Sequence, residues 1–320
     1  MATPIFLDTD IGDDIDDAYA LALILASPEL ELRGVSTVFG NTAARSRQAR
    51  TILQLAGRPD VPVSAGCGGV MSPRIDFASG PVDVGGRAVP EPFAKAILDV
   101  RHNQDRASLA EDELPRADAR SGVVLMVDAI LAGDGDVVPV TIGAMTNLAA
   151  ALIAEPAIIP RIPRVVAMAG CFTREQAEWN VRCDPVAAAV VCASGVPVTF
   201  VGLDVTLQCM FDESDLGRLA AAGGPVCRYL SAATTAWQTR ANETWKHGMP
   251  VLHDPLAVET LLDPTIVATE RGTVTVELCD ETQYARTRFA PGAGPHEVCT
   301  TVRSRDAIDV WLERVAGASA

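Results

Sequence analysis

Six aspartates, Asp8, Asp10, Asp13, Asp14, Asp16 and Asp17, fall within ten residues near the start of the chain. Carboxylates held a few ångströms apart repel one another and raise each other's pKa unless a cation or several donors compensate them. A ligand set made only of oxygen points to a hard divalent cation, Ca2+ or Mg2+. Such an ion lowers the pKa of water, and a neighbouring carboxylate can then take the proton at short range. A competing reading is purely local: Asp16 and Asp17 suit the positive end of a helix and the other acids are solvated loop. Six acids around the single glycine Gly12 exceed what a helix start needs.

The flanking sequence must place these acids. Ile5-Phe6-Leu7 reads as the end of a buried strand and Ala18 to Ala26 as an apolar helix, with the acids in the loop between. Open α/β sheets bind their ligands there, at the carboxyl ends of strands. The same alternation continues, with strands expected over 5–8, 32–38, 61–65, 138–142, 164–168 and 196–201. Helices are expected over 17–26, 43–56, 92–100, 121–131, 147–154 and 184–193. This rhythm predicts a Rossmann-like, mostly parallel open sheet with helices on both faces. Pro139 cannot donate to a ladder and predicts a bulge or a strand start. The stretch 68–89, rich in Gly, Pro and Ser, reads as a long loop. After Asp212 the pattern is helical through Asn242, with a short helix over 254–262. A late β-pair follows at 273–279 and 298–302, then an amphipathic helix over 306–315 with Trp311 facing inward. No repeat or linker interrupts the pattern, so a single domain over 1–320 is expected.

Composition narrows the ligand. The 320 residues are 48% hydrophobic and 21% charged, enough for a large buried core. A net charge of −15 and a pI near 4.7 oppose binding to nucleic-acid phosphates and to anionic membranes, leaving a small neutral or cationic partner. No apolar run of eighteen residues and no leader-like basic and apolar start occur, so the cytoplasm is the expected location. The eight cysteines form no CxxC pair and no zinc spacing, and are expected to be reduced core residues.

Four further segments carry chemistry-bearing residues at strand ends or helix starts: Gly40-Asn41, Gly143-Ala144-Met145-Thr146-Asn147, Ala177-Glu178-Trp179-Asn180 with Asp184-Pro185, and His253-Asp254-Pro255. Together with Asp8-Thr9-Asp10-Ile11-Gly12, and in this order along most of the chain, they resemble the inosine–uridine-preferring nucleoside hydrolase family. The resemblance implies that family's α/β fold with a helical C-terminal part, and a calcium-dependent enzyme releasing free base and ribose from ribonucleosides. It implies Asp10 as general base and, with Asp17 and Asp254, as a ligand of Ca2+, and the Ile142 carbonyl as a backbone ligand, with Mg2+ the lesser choice. Asp16 and Asn180 would grip the ribose hydroxyls, Glu178 the 5′-hydroxyl, and Asn41 would support the sugar side. His253 would lie beside the departing base. Met168 and Trp179 would face the substrate and Trp245 would stack on the base; Met168 and Met145 also suit plain packing. His247 is a further candidate for the base pocket. A homodimer or homotetramer is implied as well.

Three features depart from the family pattern. Asp13-Asp14-Ile15 lengthens the acid loop, leaving open which of Asp13, Asp14, Asp16 and Asp17 reach the ion. Gly66 to Pro73 carries no histidine, which leaves the leaving-group chemistry and the preferred base open, and Met168 to Arg174 lacks the usual asparagine, so one 5′-hydroxyl contact is missing or supplied differently. His102 and His296 read as surface residues, and Arg45, Arg47 and Arg50 as a solvated helix face.

Two other functions compete. Asp8-Thr9-Asp10 also suits a Mg2+-dependent phosphatase of the haloacid-dehalogenase type. That class needs a downstream lysine, whereas Lys95 and Lys246 sit in no strand-end motif and the acids repel phosphate. A non-catalytic ribose- or nucleoside-binding protein of the same fold is the second; Asp10 together with His253 favours catalysis. Cleaving a ribosyl C–N bond passes through an oxocarbenium-like state, which a negatively lined sugar site stabilises.

Overall fold

Ile5-Phe6-Leu7 shows no polar alternation because its strand is covered on both faces. In the computed structural model, which describes residues 2–72, 104–244 and 248–317 and the short strands Asp83–Val84 and Arg87–Ala88, β1 (Thr3–Thr9) is buried from Pro4 onward. Around it the chain lays down α1 (Asp16–Leu25), β2 (Leu30–Thr37), α2 (Thr42–Leu55), β3 (Val63–Ala65), β4 (Asp83–Val84), β5 (Arg87–Ala88) and α3 (Gly122–Ala132). Next come β6 (Val138–Thr141), α4 (Thr146–Ala154), β7 (Val165–Ala167), α5 (Trp179–Cys183), α6 (Pro185–Ala193), β8 (Val198–Phe200) and α7 (Leu203–Thr206). The chain ends with α8 (Glu213–Ala221), α9 (Pro225–Thr244), α10 (His253–Leu262), β9 (Val267–Val276), β10 (Thr287–Pro291), β11 (His296–Val302) and α11 (Ser304–Val315).

Nine strands form one sheet in the order β10-β9-β11-β8-β7-β6-β1-β2-β3. From β3 to β11 every neighbouring pair is parallel, and β9 runs antiparallel to both β11 and β10. The chain steps outward from β1 to β3 and then returns to β6 on the other flank of β1. The carboxyl ends of β1 and β6 therefore border the crevice where strand order reverses.

The expected α/β architecture is present, with differences in detail. β10 was not expected; its five residues include Arg288 and Pro291, which hide a strand signal. β9 begins at Val267, earlier than 273, because its outward-facing Thr269 and Glu270 mask the alternation. A hairpin, β4–β5, lies in the stretch read as loop. Pro139 stands at the start of β6, the second of the two outcomes expected, with no bulge: its register with Phe6 is regular, and the ladder to β7 begins only at Val140, after the missing N–H. The helix expected over 92–100 lies outside the described residues.

The burial of α1 fixes the acid loop's far end. Nine of its ten residues are buried, Asp16 and Asp17 included, as befits a helix apolar all round. Tyr19 packs against Phe211 and Trp311 with ring centroids 5.7 and 4.6 Å away, and the Trp311 indole N–H donates to the Tyr19 carbonyl at 3.1 Å. The inward face expected of Trp311 is thus the clamp on α1.

The arginine face is not solvated. Arg45 and Arg50 are buried and Arg47 is half-buried, because surrounding loops supply carbonyls and carboxylates: Arg47 Nε donates to Leu109 O, and Arg50 Nη1 to Pro115 O. His296 is likewise buried, its Nδ1 accepting from Val274 N at 2.8 Å; it opens a central strand. His102 lies outside the described residues. No disulfide joins any of the eight cysteines; Cys279 is exposed and five are buried. Among the described residues no helix is long and apolar enough to cross a membrane.

Candidate active site

The acids converge at that crevice by two routes. β1 carries Asp8 into the sheet and Asp10 just past its end. Asp16 and Asp17 start α1, and Asp254 starts α10. Thr9 Oγ1 donates to Asp17 Oδ1 at 2.5 Å while accepting from Ile11 N, which folds the loop back on itself. Asp254 N donates to Asp16 Oδ2 at 3.2 Å, joining the two helix starts. One carboxylate oxygen from each of Asp16, Asp17 and Asp254 lies within 4.8 Å of the others, and all three residues are buried. Burial first, then repulsion among neighbouring acids, pushes all three carboxyls well above the usual range. Three such groups cannot ionise together without added positive charge, and an all-oxygen donor set fits a hard divalent ion. Asp16, expected to hold ribose, belongs to this triad, whereas Asp10, expected as a ligand, stands outside it and lines the same cavity.

Burial raises Asp10 to about 7, against the pull of Arg45 and helped by Asp13. Its place depends on Gly143 after β6: a Cβ there would stand 2.9 Å from both the Asp10 amide nitrogen and Oδ1. Asp8 has a different task. Ser36 Oγ and Asn147 Nδ2 donate to its Oδ1 at 2.6 and 2.8 Å, tying β1 to β2 and α4.

Glu178 caps the short helix α5. Its Oε1 accepts from Asn180 N at 2.7 Å, and its Oε2 from Val181 N and Gly170 N at 3.0 and 3.1 Å. Burial nevertheless raises it to about 7, those donors opposing. Asn180 Nδ2 donates to the carbonyls of Ile142 and Met168 at 3.1 and 3.0 Å, which leaves its Oδ1 as the remaining polar atom of the amide. Ile142, Met168, Glu178, Trp179 and Asn180 all line the cavity. Asn41 does not line it; its side chain caps α2 by accepting from Ala44 N at 3.1 Å.

The lining also includes an apolar set: Leu203, Leu207, Met210, Trp237, Met249 and Val251. An isolated bridge between Met210 and Val251 joins the segment after α7 to the one before α10. His253 faces the same space, its Nδ1 2.7 Å from Thr206 Oγ1. Trp245 and His247 lie outside the described residues. Trp237 escaped the sequence reading because Ala233 and Trp237, four apart on one helix face, look like ordinary core. The cavity measures about 380 Å³, in the range of small-molecule sites.

The cavity brings together acids that can hold a cation and a base, hydrogen-bonding groups suited to hydroxyls, and apolar side chains suited to a flat ring. The sequence profile described as inosine-uridine preferring nucleoside hydrolase matches residues 5–311. The chain is 31% identical to the pyrimidine-specific ribonucleoside hydrolase RihA of Salmonella gallinarum, over 98% of this chain and 99% of that protein. Among solved structures it is similar to the purine-preferring ribonucleoside hydrolase from Gardnerella vaginalis, at 29% identity and TM-score 0.84 over 99% of each chain. A plant nucleoside hydrolase, PpNRh1, matches at 25% identity and TM-score 0.81, again over 99% of each. Acid loop, sheet order and cavity thus meet in one assignment: the chain belongs to the inosine-uridine preferring nucleoside hydrolase family.

Proposed function

We propose that the chain hydrolyses the N-glycosidic bond of ribonucleosides, with Ca2+ rather than Mg2+ as its ion, acting in the cytoplasm as a homodimer or homotetramer. The observation that carries this reading is the buried triad Asp16, Asp17 and Asp254, which shares one cavity with Asp10, Glu178 and Asn180. The triad, with Asp10 and the Ile142 carbonyl, would hold the ion; when bound, it neutralises the acids and polarises water. Asp10 takes the proton of the water that attacks C1′. Asn180 Oδ1 and Asp16 accept from ribose hydroxyls, and Glu178 accepts from the 5′-hydroxyl. The carboxylates around the sugar favour the positive charge that develops on it as the C–N bond breaks. Trp179 and Trp237 border the space for the base, and His253 stands where it can share a proton with the departing ring. The phosphatase alternative loses its nucleophile: Asp8 is hydrogen-bonded inside the sheet and does not line the cavity.

The test is to incubate the protein with Ca2+ and inosine, adenosine, guanosine, uridine or cytidine, and to measure free ribose. Release that a chelator abolishes is expected. Release unaffected by chelation would remove the ion from the reading, and no release from any nucleoside would remove hydrolysis. Sedimentation at equilibrium checks the oligomer.

A further inference from the structure

The only buried cation described in contact with the acid loop belongs to another element. Arg45 comes from the first turn of α2 and is wholly buried. Its Nη1 donates to the carbonyls of Asp10 and of Ile11, the latter at 3.0 Å. Its Nη2 meets Asp13 Oδ2 at 2.6 Å, and its Nε donates to Phe39 O at 2.7 Å. Phe39 itself holds a left-handed φ of 65°, uncommon for a bulky residue. One guanidinium therefore spans the backbone just after β1, the lengthened part of the acid loop and the turn leading into α2.

We propose that Arg45 is a positioning residue that presets the acid loop for its cation, and that Asp13 serves as its counter-ion rather than as an ion ligand. By gripping the carbonyls of Asp10 and Ile11, Arg45 fixes where Asp10 leaves the sheet and how the loop travels toward Asp16 and Asp17. The planar fork matters as much as the charge: an ammonium cannot serve two neighbouring carbonyls, a carboxylate and a third carbonyl from one fixed position. Gln104 Nε2 donates to the carbonyl of Asp14, bracing the same loop from the other side. Asp13, Arg45 and Gln104 together hold the residues by which this loop exceeds the usual family length. The inference rests on reading the triad as a cation site.

The experiment titrates the chelated full chain with CaCl2 in a calorimeter at 25 °C, using wild type, Arg45→Lys, Asp13→Asn and, as a control, Asp254→Asn. Melting midpoints without calcium are recorded in parallel. Wild type is expected to bind and Asp254→Asn to lose binding. Arg45→Lys, which keeps the charge and loses the fork, is expected to bind at least about tenfold more weakly, the size of effect typical for residues that orient metal ligands. Asp13→Asn, which leaves the carbonyl bonds in place, is expected to weaken binding by about tenfold, the low end of that range. A purely structural role would lower the midpoint and leave calcium affinity unchanged. Wild-type affinity in Arg45→Lys therefore overturns the proposal; should that variant not fold, wild-type affinity in Asp13→Asn does so. Absence of binding in wild type overturns the cation reading itself, and the proposal with it.

Discussion

In the proposed reaction Asp10 gains the proton of the attacking water, and its amide keeps the shape of the side chain without the basicity. Asp10→Asn is expected to lower turnover by at least about 100-fold, the contribution typical of a positioned base, while ribose still protects the protein from heat. Near-normal turnover would remove Asp10 from the role. His253 calls for a different probe, because its effect depends on the leaving group. His253→Ala is expected to slow inosine hydrolysis far more than that of 4-nitrophenyl riboside, whose anion departs unaided; equal losses would exclude proton donation. At this scale the acids were legible in the sequence, since clustered charge inside an apolar frame has few explanations. Arg45 was not: arginines two and three apart on a helix look solvated until the loops that cover them are in place. His296 failed for the same reason, its burial decided by strands distant in sequence.

Elements carry the site because each acid sits at an end of one, where the backbone position is fixed by the sheet. The approach of β1 to the turn after β6 is close enough that Gly143→Ala must move Asp10: the added Cβ meets main-chain and carboxylate atoms, neither of which can yield easily. Turnover is expected to fall by roughly tenfold or more, because small displacements of a catalytic group weaken catalysis steeply, with the fold intact by circular dichroism. An unchanged rate would mean that the loop is softer than the packing implies. Central strands were readable because continuous apolar runs bounded by Gly, Asp and Asn leave little choice. β10 was not, because an edge strand needs no apolar run and Pro291 sits at its end. The apolar wall was also obscure in sequence, since Trp237 stands thirty residues beyond Leu207 in the chain and joins it and Leu203 at one cavity only in the fold.

For the whole molecule, the acids link stability to pH and ion together. Folded and without an ion, Asp10 and Glu178 release their protons only near 7, against usual values of 3.8 and 4.5. Between those limits the folded state holds more protons than the unfolded one, so stability falls as pH rises through the window, and the loss is complete above about 7. Calcium bound at the proposed site would favour the ionised carboxylates and reverse the trend. The melting midpoint of the chelated protein is expected to be higher at pH 5 than at pH 8, and the rise on adding calcium larger at pH 8; the opposite order would contradict a buried, ion-dependent cluster. A net charge of −15 adds self-repulsion of the same sign.

Met210 lines the cavity and is 42% exposed, so the wall assigned to the base includes a thioether that dissolved oxidants can reach. Conversion to the sulfoxide would set a polar, bulkier group against an aromatic ring. Mild peroxide is therefore expected to raise KM before it alters kcat, and Met210→Leu to resist the change; identical KM drift in both would locate the damage elsewhere. Affinity lost in this way is expected to return on treatment with methionine sulfoxide reductase and not with a small-molecule thiol alone.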